Sequence, residues 1–197
     1  MIVVDVETTG VDPDRHSIVS IGAVDFLHPE RRFYEECRIW DGAIISDEAL
    51  AINGYTREEV TDIKKQSLEE ILKKFFMWVE ESEGHTIMVL HPIFDLSFLD
   101  ESAERYHLQL PFPKRSLDLH SICFAHMIKG GLIPPIINKH SAVNSDLIMQ
   151  YVGIPTEPKP HIALNGALYE AEAFSRLLYD KNLLPEFAEY PLPWLKR

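Results

Sequence analysis

Residues 2–10 of the chain are IVVDVETTG, a short apolar run that ends in two acids and a polar turn. Val and Ile are typical of buried strands, and Thr9-Gly10 interrupts the pattern as a loop does. Side chains alternate along a strand, so Asp5 and Glu7 share one face near its carboxyl end. Two carboxylates this close repel each other unless a cation or a proton compensates their charge. The simpler alternative is that both are ordinary solvated acids at the end of the strand. The stretch predicts a strand that directs two carboxylates to one point.

The remaining segments predict an α/β fold with a mixed five-stranded sheet. The candidate strands cover residues 2–6, 17–27, 32–40, 86–90 and 116–119. The first three follow one another with short links, which is typical of an antiparallel meander. Helical stretches separate the last two, which are therefore expected to run parallel. A capping box at Ser67 and Glu70 begins one amphipathic helix, and another long helix follows His161. We expect one domain at residues 1–180, with the Pro-rich tail at 181–197 packed on it.

Composition limits the classes of function. The chain has 197 residues, of which 46% are apolar, enough for one sizeable core. No apolar stretch approaches the roughly 20 residues of a membrane span, and we expect no secretory signal. The two cysteines, Cys37 and Cys123, form no CxxC motif and favour a reducing cytoplasm. A net charge of −12 disfavours broad binding of nucleic acid, except where acids serve to hold divalent cations.

Two further residues are candidates for chemistry. Asp95 follows the strand at 86–90 and lies at a predicted helix start. An acid at this place can serve only to stabilise the helix, through its interaction with the helix dipole. His161 precedes the last long helix, a place where a histidine is more often a cap or a packed residue. Strand-end acids together with a histidine are also what two-metal phosphodiester hydrolysis requires. The acids hold the ions, and the imidazole accepts a proton from the attacking water.

Three motifs, in order along the chain, resemble those of the DEDDh exonucleases. DVETTG at 5–10 is similar to the first motif, and FDLSFL at 94–99, with His91 upstream, to the second. HIALNGA at 161–167 is similar to the third, H-x-A-x-x-D-A. The likeness covers about residues 1–180. It implies a ribonuclease-H-like fold, with helices flanking the mixed sheet, and 3′→5′ exonuclease activity that uses two divalent cations, Mg²⁺ or Mn²⁺.

The resemblance also implies a role for each matching residue. Asp5 would bridge both metal ions, Glu7 would complete the shell of the first, and Asp95 would act through water on the second. His161 would be the general base. The backbone at Thr8 would lie near the terminal nucleotide. The negative net charge of the chain favours contact with only a few nucleotides, so we expect single-stranded or short nucleic acid as the partner. We expect no association with a membrane.

One position of the third motif departs from the family. The fourth acid falls at Gly166, so the site has one carboxylate fewer against four positive charges, and its metal affinity should fall. Glu170 lies one helical turn further on the same face and is a candidate compensating acid, although a solvated helix acid is the simpler expectation. In the second motif, Pro92 stands where the family has a small polar residue or Asn.

Two functions therefore remain open at this point. The first is a metal-dependent 3′→5′ exonuclease that acts on the 3′ end of short or single-stranded DNA or RNA. For this function we expect higher activity with Mn²⁺ than with Mg²⁺, and a gain from Gly166→Asp. The second is a weakened or inactive homologue that serves as a nucleic-acid-binding or protein-interaction module. Position 166 discriminates between them, because the retained motifs favour the enzyme and the missing acid favours the module.

Overall fold

A five-stranded mixed sheet forms the centre of the structure, a computed structural model that describes residues 1–196. The strands are β1 (Ile2–Thr8), β2 (Ile18–Asp25), β3 (Arg32–Glu36), β4 (Ile87–Val89) and β5 (Ser116–Asp118). Their order is β3-β2-β1-β4-β5; β1 to β3 are antiparallel, β4 is parallel to β1, and β5 is parallel to β4. The predicted mixed sheet, antiparallel on one side and parallel on the other, is confirmed.

Helices connect and cover the strands. They are α1 (Asp47–Asn53), α2 (Arg57–Thr61), α3 (Leu68–Glu80), α4 (Pro92–Arg105), α5 (Leu119–Lys129), α6 (Ser145–Val152) and α7 (Ala163–Tyr179). The capping box at the start of α3 is confirmed, since the Glu70 side chain accepts from the Ser67 backbone at 2.7 Å and the Ser67 hydroxyl accepts from the Glu70 amide. Pro92 is the first residue of α4, where its missing N–H costs no helical hydrogen bond.

The sheet is buried on both faces, and β1 contributes to both cores. Val4 and Val6 pack in a cluster with α3, whereas Val3 packs in the opposite cluster with α7. A strand covered on both sides needs apolar residues at nearly every position, which explains the continuous run before Asp5. By the same alternation, Asp5 and Glu7 lie on the face that α7 covers.

A glycine in β2 determines how closely α7 approaches the sheet. A Cβ on Gly22 would come within 2.1 Å of the backbone at Ala163 and Leu164, so the first turn of α7 rests directly on the strand. This contact places the start of α7 beside Asp5, which is paired with Gly22 across β1 and β2.

Two features complete the fold. An exposed hairpin, β6 (Ile136–Ile137) and β7 (His140–Ser141), lies between α5 and α6, where the sequence analysis proposed no strands. The chain after α7 returns to the domain, and Leu184 and Phe187 are buried in the same cluster as α7. Within residues 1–196, no helix is long and apolar enough to cross a membrane.

Candidate active site

A cavity of about 470 Å³ opens at the carboxyl end of β1. Its walls come from β1 and the following loop, from α1, α6 and α7, and from the loop that leads into α7. Acids that line it are Asp5, Glu7, Glu48, Glu157 and Glu170. No Lys or Arg of the described chain lines this cavity. The cavity therefore concentrates negative charge that no cationic side chain of the wall offsets.

Asp5, Glu7 and Asp95, the three acids of the first two motifs, lie close together. Asp5 and Glu7 face the cavity from β1, and Asp95 is buried beside them in the first turn of α4. Asp95 is more than a helix-start acid, because its Oδ1 accepts a hydrogen bond from the Val6 amide of β1 at 3.3 Å. That bond joins the second motif to the first, 89 residues apart in sequence.

The pKa values of these three acids are raised. Burial is the main cause for each. For Asp5 the carboxylates of Asp95, Glu170 and Glu7 raise the pKa further. The pKa of Glu7 rises to about 8 and that of Asp95 to about 7, although hydrogen bonds from backbone amides partly counter the rise for Asp95. Without a cation, the site favours protonated acids near neutral pH.

Glu170 is buried, so the expectation of a solvated helix acid is wrong. Its side chain is only 6% exposed, and it lies on the face of α7 that covers the sheet. Its Oε2 has no hydrogen-bond partner within the described residues, while the Leu90 backbone donates to the carboxylate. Burial and the charge of Asp95 raise its pKa well above the ordinary value. The sequence identified the face of the helix but not what covers it.

His161 lies in the loop before α7, two residues ahead of the first helical residue, and lines the cavity. Its amide donates to the Ile52 carbonyl at 3.1 Å, which ties the loop to α1. Its Nδ1 is 3.9 Å from Oε2 of Glu157, and the ring is 36% exposed. The histidine is therefore held at the mouth of the cavity with one nitrogen directed to a carboxylate.

Sequence reasoning missed two acids that line the cavity, the exposed Glu48 and Glu157. Glu157 is partly buried, its Oε1 accepts from the Ile162 amide at 3.4 Å, and burial raises its pKa. Its charge is also the largest electrostatic influence on the pKa of Glu7. The only signal in the sequence was an acid four residues before His161 in a Pro-rich loop, which is too common a pattern to single it out.

Thr8 lies at the end of β1 and lines the cavity with its neighbours. Its carbonyl accepts a hydrogen bond from the Asn53 side chain at 3.0 Å, and its hydroxyl donates to the Gly10 carbonyl at 2.7 Å. Both contacts fix the backbone beside the acids. Val11, Ile52 and Phe94 add apolar surface to the lining of the cavity. Such surface suits the flat face of a base or the carbon atoms of a sugar.

The donor set fits a divalent cation, although the side chains are not yet arranged around one point. Carboxylate oxygens are the ligands that Mg²⁺ and Mn²⁺ prefer. The raised pKa values and the unpaired Oε2 of Glu170 show negative groups that lack a positive partner. As they stand in residues 1–196, no three His, Cys, Asp or Glu side chains are grouped to hold one metal ion. Binding would therefore require side-chain rotation, for which Asp5 and Glu7 are well placed on the cavity wall.

The fold and the acidic cavity together define a class of protein. A sheet of this order, with helices on both faces, is ribonuclease-H-like. Residues 2–174 match the family model described as RNase T exonuclease, which spans most of the chain, and the chain belongs to this family.

Similar proteins include nucleases from bacteria and plants. Ribonuclease T of Vibrio vulnificus (strain CMCP6) is 32% identical over 126 residues, covering 56% of this chain and 58% of that protein. The exonuclease DPD1, chloroplastic/mitochondrial, of Arabidopsis thaliana is 23% identical over 188 residues, covering 93% of this chain and 57% of that protein. The matches thus span less than two thirds of each relative.

Solved structures share the fold at low sequence identity. The nuclease domain of 3′hExo, a DEDDh family member bound to rAMP, has a TM-score of 0.70 and 19% identity, with 93% of both chains covered. E. coli Exonuclease I in complex with a dT13 oligonucleotide has a TM-score of 0.67 and 14% identity, covering 89% of this chain and 40% of that one. These likenesses establish the fold.

Proposed function

We propose that the protein is a metal-dependent 3′→5′ exonuclease that removes nucleotides from short or single-stranded DNA or RNA. One observation carries the proposal: Asp5, Glu7, Glu170 and His161 line a single cavity in a domain of the exonuclease family, and Asp95 is buried behind it against the Val6 amide. Membership of the exonuclease family, and the fold shared with the nuclease domain of 3′hExo, a DEDDh family member bound to rAMP, support the direction of attack and the class of substrate.

Each residue has a role in the proposed reaction. Asp5, Glu7 and Asp95 would hold two divalent cations, Mg²⁺ or Mn²⁺. When bound, these ions stabilise the charge of the scissile phosphate and favour ionisation of water. His161 would accept the proton of the attacking water, and Glu157 would orient its Nδ1. The backbone at Thr8 would lie against the terminal nucleotide.

The lining of the cavity favours contact with only a few nucleotides of the substrate. Because no described Lys or Arg lines the cavity, phosphates there would be neutralised by the metal ions. The apolar part of the lining would hold the terminal base and sugar. Binding should therefore depend weakly on salt and should need few nucleotides, in agreement with the acidic balance of the chain.

A second candidate function rests on Gly166. The family acid is absent there, which favours a weakened or inactive homologue that binds nucleic acid or a protein without cleaving it. This function predicts oligonucleotide binding without hydrolysis, whatever the metal.

Digestion of a labelled single-stranded oligonucleotide tests the proposal. With a 5′ label, we expect a ladder of products shortened one nucleotide at a time, and more activity in Mn²⁺ than in Mg²⁺ because Mn²⁺ tolerates imperfect ligand geometry. Asp5→Asn should abolish cleavage, whereas Asp14→Asn, at an exposed acid of the nearby loop, should leave it unchanged. If the protein binds the oligonucleotide but does not cleave it, the proposed exonuclease activity is wrong and the binding module is favoured.

A further inference from the structure

The Asp5 carboxylate occupies the space that a side chain at position 166 would take. A Cβ built on Gly166 would lie 2.1 Å from Asp5 Oδ2 and 2.8 Å from Asp5 Cγ. The backbone of α7 at Gly166 therefore lies directly against the Asp5 side chain of β1. The family ligand is absent, and its space is occupied by a residue of the first motif.

Glu170 reaches the same region from one turn further along α7. Side chains on a helix lean toward its N-terminus, so a glutamate at 170 extends back over the turn that contains Gly166. Glutamate is also longer than aspartate by one methylene, which extends that reach. Asp5, Gly166 and Glu170 all line the same cavity.

The surroundings of Glu170 are unusual for a structural acid. The side chain is 6% exposed and lines the cavity, and no described residue makes a hydrogen bond or salt bridge to its Oε2. Burying a carboxylate oxygen without a partner is costly. Glu172, two residues on, shows how this helix satisfies a structural acid: it is fully buried, but bonded to Arg176 and to two backbone amides. Glu170, by contrast, keeps a buried carboxylate oxygen without a described partner in the wall of the cavity.

We propose that Glu170 is the fourth metal-binding acid of this protein and replaces the carboxylate that the family carries at position 166. Compared with the family pattern, this acid lies one turn further along α7. It binds a divalent cation together with Asp5. The inference rests on the proposed function. It also explains how Gly166 can persist in a chain that keeps the other motif residues, since the number of acids at the site is conserved.

Calorimetric titration with Mn²⁺ alone, without nucleic acid, tests the assignment. Glu170→Gln keeps the shape of the side chain and removes its charge, so we expect a folded protein whose Mn²⁺ affinity falls by about 10-fold or more, at least the cost of losing an outer-shell partner. The rise in melting temperature caused by Mn²⁺ should shrink accordingly. Glu189→Gln, the same change at an exposed residue of the tail, should bind Mn²⁺ as the wild type does. Unchanged affinity in Glu170→Gln would overturn the proposal.

A rescue experiment separates a ligand from a packing residue. Gly166→Asp combined with Glu170→Gln returns the acid to the family position and should recover part of the lost Mn²⁺ affinity. Gly166→Ala combined with Glu170→Gln adds the Cβ alone and should recover none. Equal behaviour of the two double variants would contradict the assignment, and Glu170→Asp provides a second charged variant should Glu170→Gln fold poorly.

The outcomes also separate this inference from the proposed function. Loss of Mn²⁺ binding in Asp5→Asn but not in Glu170→Gln would reject the role of Glu170 and leave the nuclease proposal in place. Absence of Mn²⁺ binding in the wild type, with no effect of Asp5→Asn, would reject both.

Discussion

At the scale of single residues, the closeness of Gly166 to Asp5 changes the effect that we expect when the missing acid is restored by Gly166→Asp. The sequence suggests that Gly166→Asp adds a ligand and so raises activity. The structure shows that any Cβ at this position meets the Asp5 carboxylate first. A further carboxylate in the cluster that contains Glu170 would add repulsion. We therefore expect the gain from Gly166→Asp only when Glu170→Gln accompanies it.

Gly166→Ala isolates the steric part of this argument. The new methyl group should push the Asp5 carboxylate from its place and lower the rate of Mn²⁺-dependent hydrolysis by about 10-fold, since small misplacements at a reacting site are costly. The usual gain of about 1 kcal/mol for Ala over Gly in a helix should be offset by the clash. Gly130→Ala is the control, because its Cβ would meet nothing closer than 3.4 Å. An unimpaired Gly166→Ala enzyme would show that Asp5 moves freely.

The site itself could be predicted only in part from the residues. Asp5 and Glu7 follow from strand alternation, and Asp95 from its place after an apolar strand, because these positions depend on local pattern. Their meeting depends on the parallel pairing of β1 with β4. Glu157 and the burial of Glu170 could not be predicted, since both depend on how a loop and a helix pack across the sheet.

At the scale of secondary structure, the five strands of the sheet and the helix from Leu68 were predicted, whereas helix α5 and the hairpin of β6 and β7 were not. The helix from Leu68 was recognisable because apolar residues recur at the helical period over several turns, and the strands were recognisable as short runs between turns or helical segments. The hairpin of β6 and β7 was not, because its two strands have two residues each and their side chains are exposed. Such elements leave no burial pattern in the sequence.

Helix α7 carries a buried ion pair that fastens the C-terminal tail. Glu172 and Arg176 are both fully buried and joined at 2.7 Å. Arg176 also donates to the carbonyls of Val152, Phe187 and Tyr190, and Glu172 accepts from the amides of Leu183 and Leu184. One pair thus connects α6, α7 and the tail.

Removing one member of this pair should be far more damaging than breaking an exposed pair. Glu172→Ala leaves the Arg176 charge buried and unpaired, so we expect a loss of about 3–5 kcal/mol in the free energy of unfolding. Glu69→Ala, which breaks the exposed i,i+4 pair with Lys73, should cost at most about 1 kcal/mol. Urea denaturation followed by circular dichroism measures both values. Similar losses in the two variants would mean that the buried pair is not what holds the tail.

At the scale of the whole molecule, the acidic site links metal binding to stability. Five carboxylates with raised pKa values, namely those of Asp5, Glu7, Asp95, Glu157 and Glu170, lie within one small region. Such a cluster is unfavourable when ionised, and the fold tolerates it because protons or cations can neutralise it. Protons and metal ions therefore compete for the same oxygens, and metal affinity should rise with pH.

The stability of the metal-free protein should fall as the pH rises through this cluster. A carboxyl whose pKa is higher in the folded state binds its proton more tightly there, so its stabilising contribution is complete below the ordinary pKa of 3.8–4.5 and is lost as the pH passes the raised value. With Asp95 at about 7 and Glu7 at about 8, the loss should extend from about pH 4 to about pH 8. Thermal denaturation in EDTA across this range measures it.

Mn²⁺ and Glu170→Gln should each reduce that loss, for the same electrostatic reason. Saturating Mn²⁺ replaces the protons, so the melting temperature at pH 8 should rise more than at pH 5. Glu170→Gln removes one of the negative neighbours of Asp5, so its metal-free melting temperature should decline less steeply with pH than that of the wild type. Glu189 is exposed and does not belong to the acidic cluster, so the melting temperature of Glu189→Gln should change with pH as that of the wild type does. A metal-free stability that stays level or increases between pH 5 and pH 8 would mean that the acids are already ionised in the folded protein, and that rotation into the cavity relieves their repulsion without a cation.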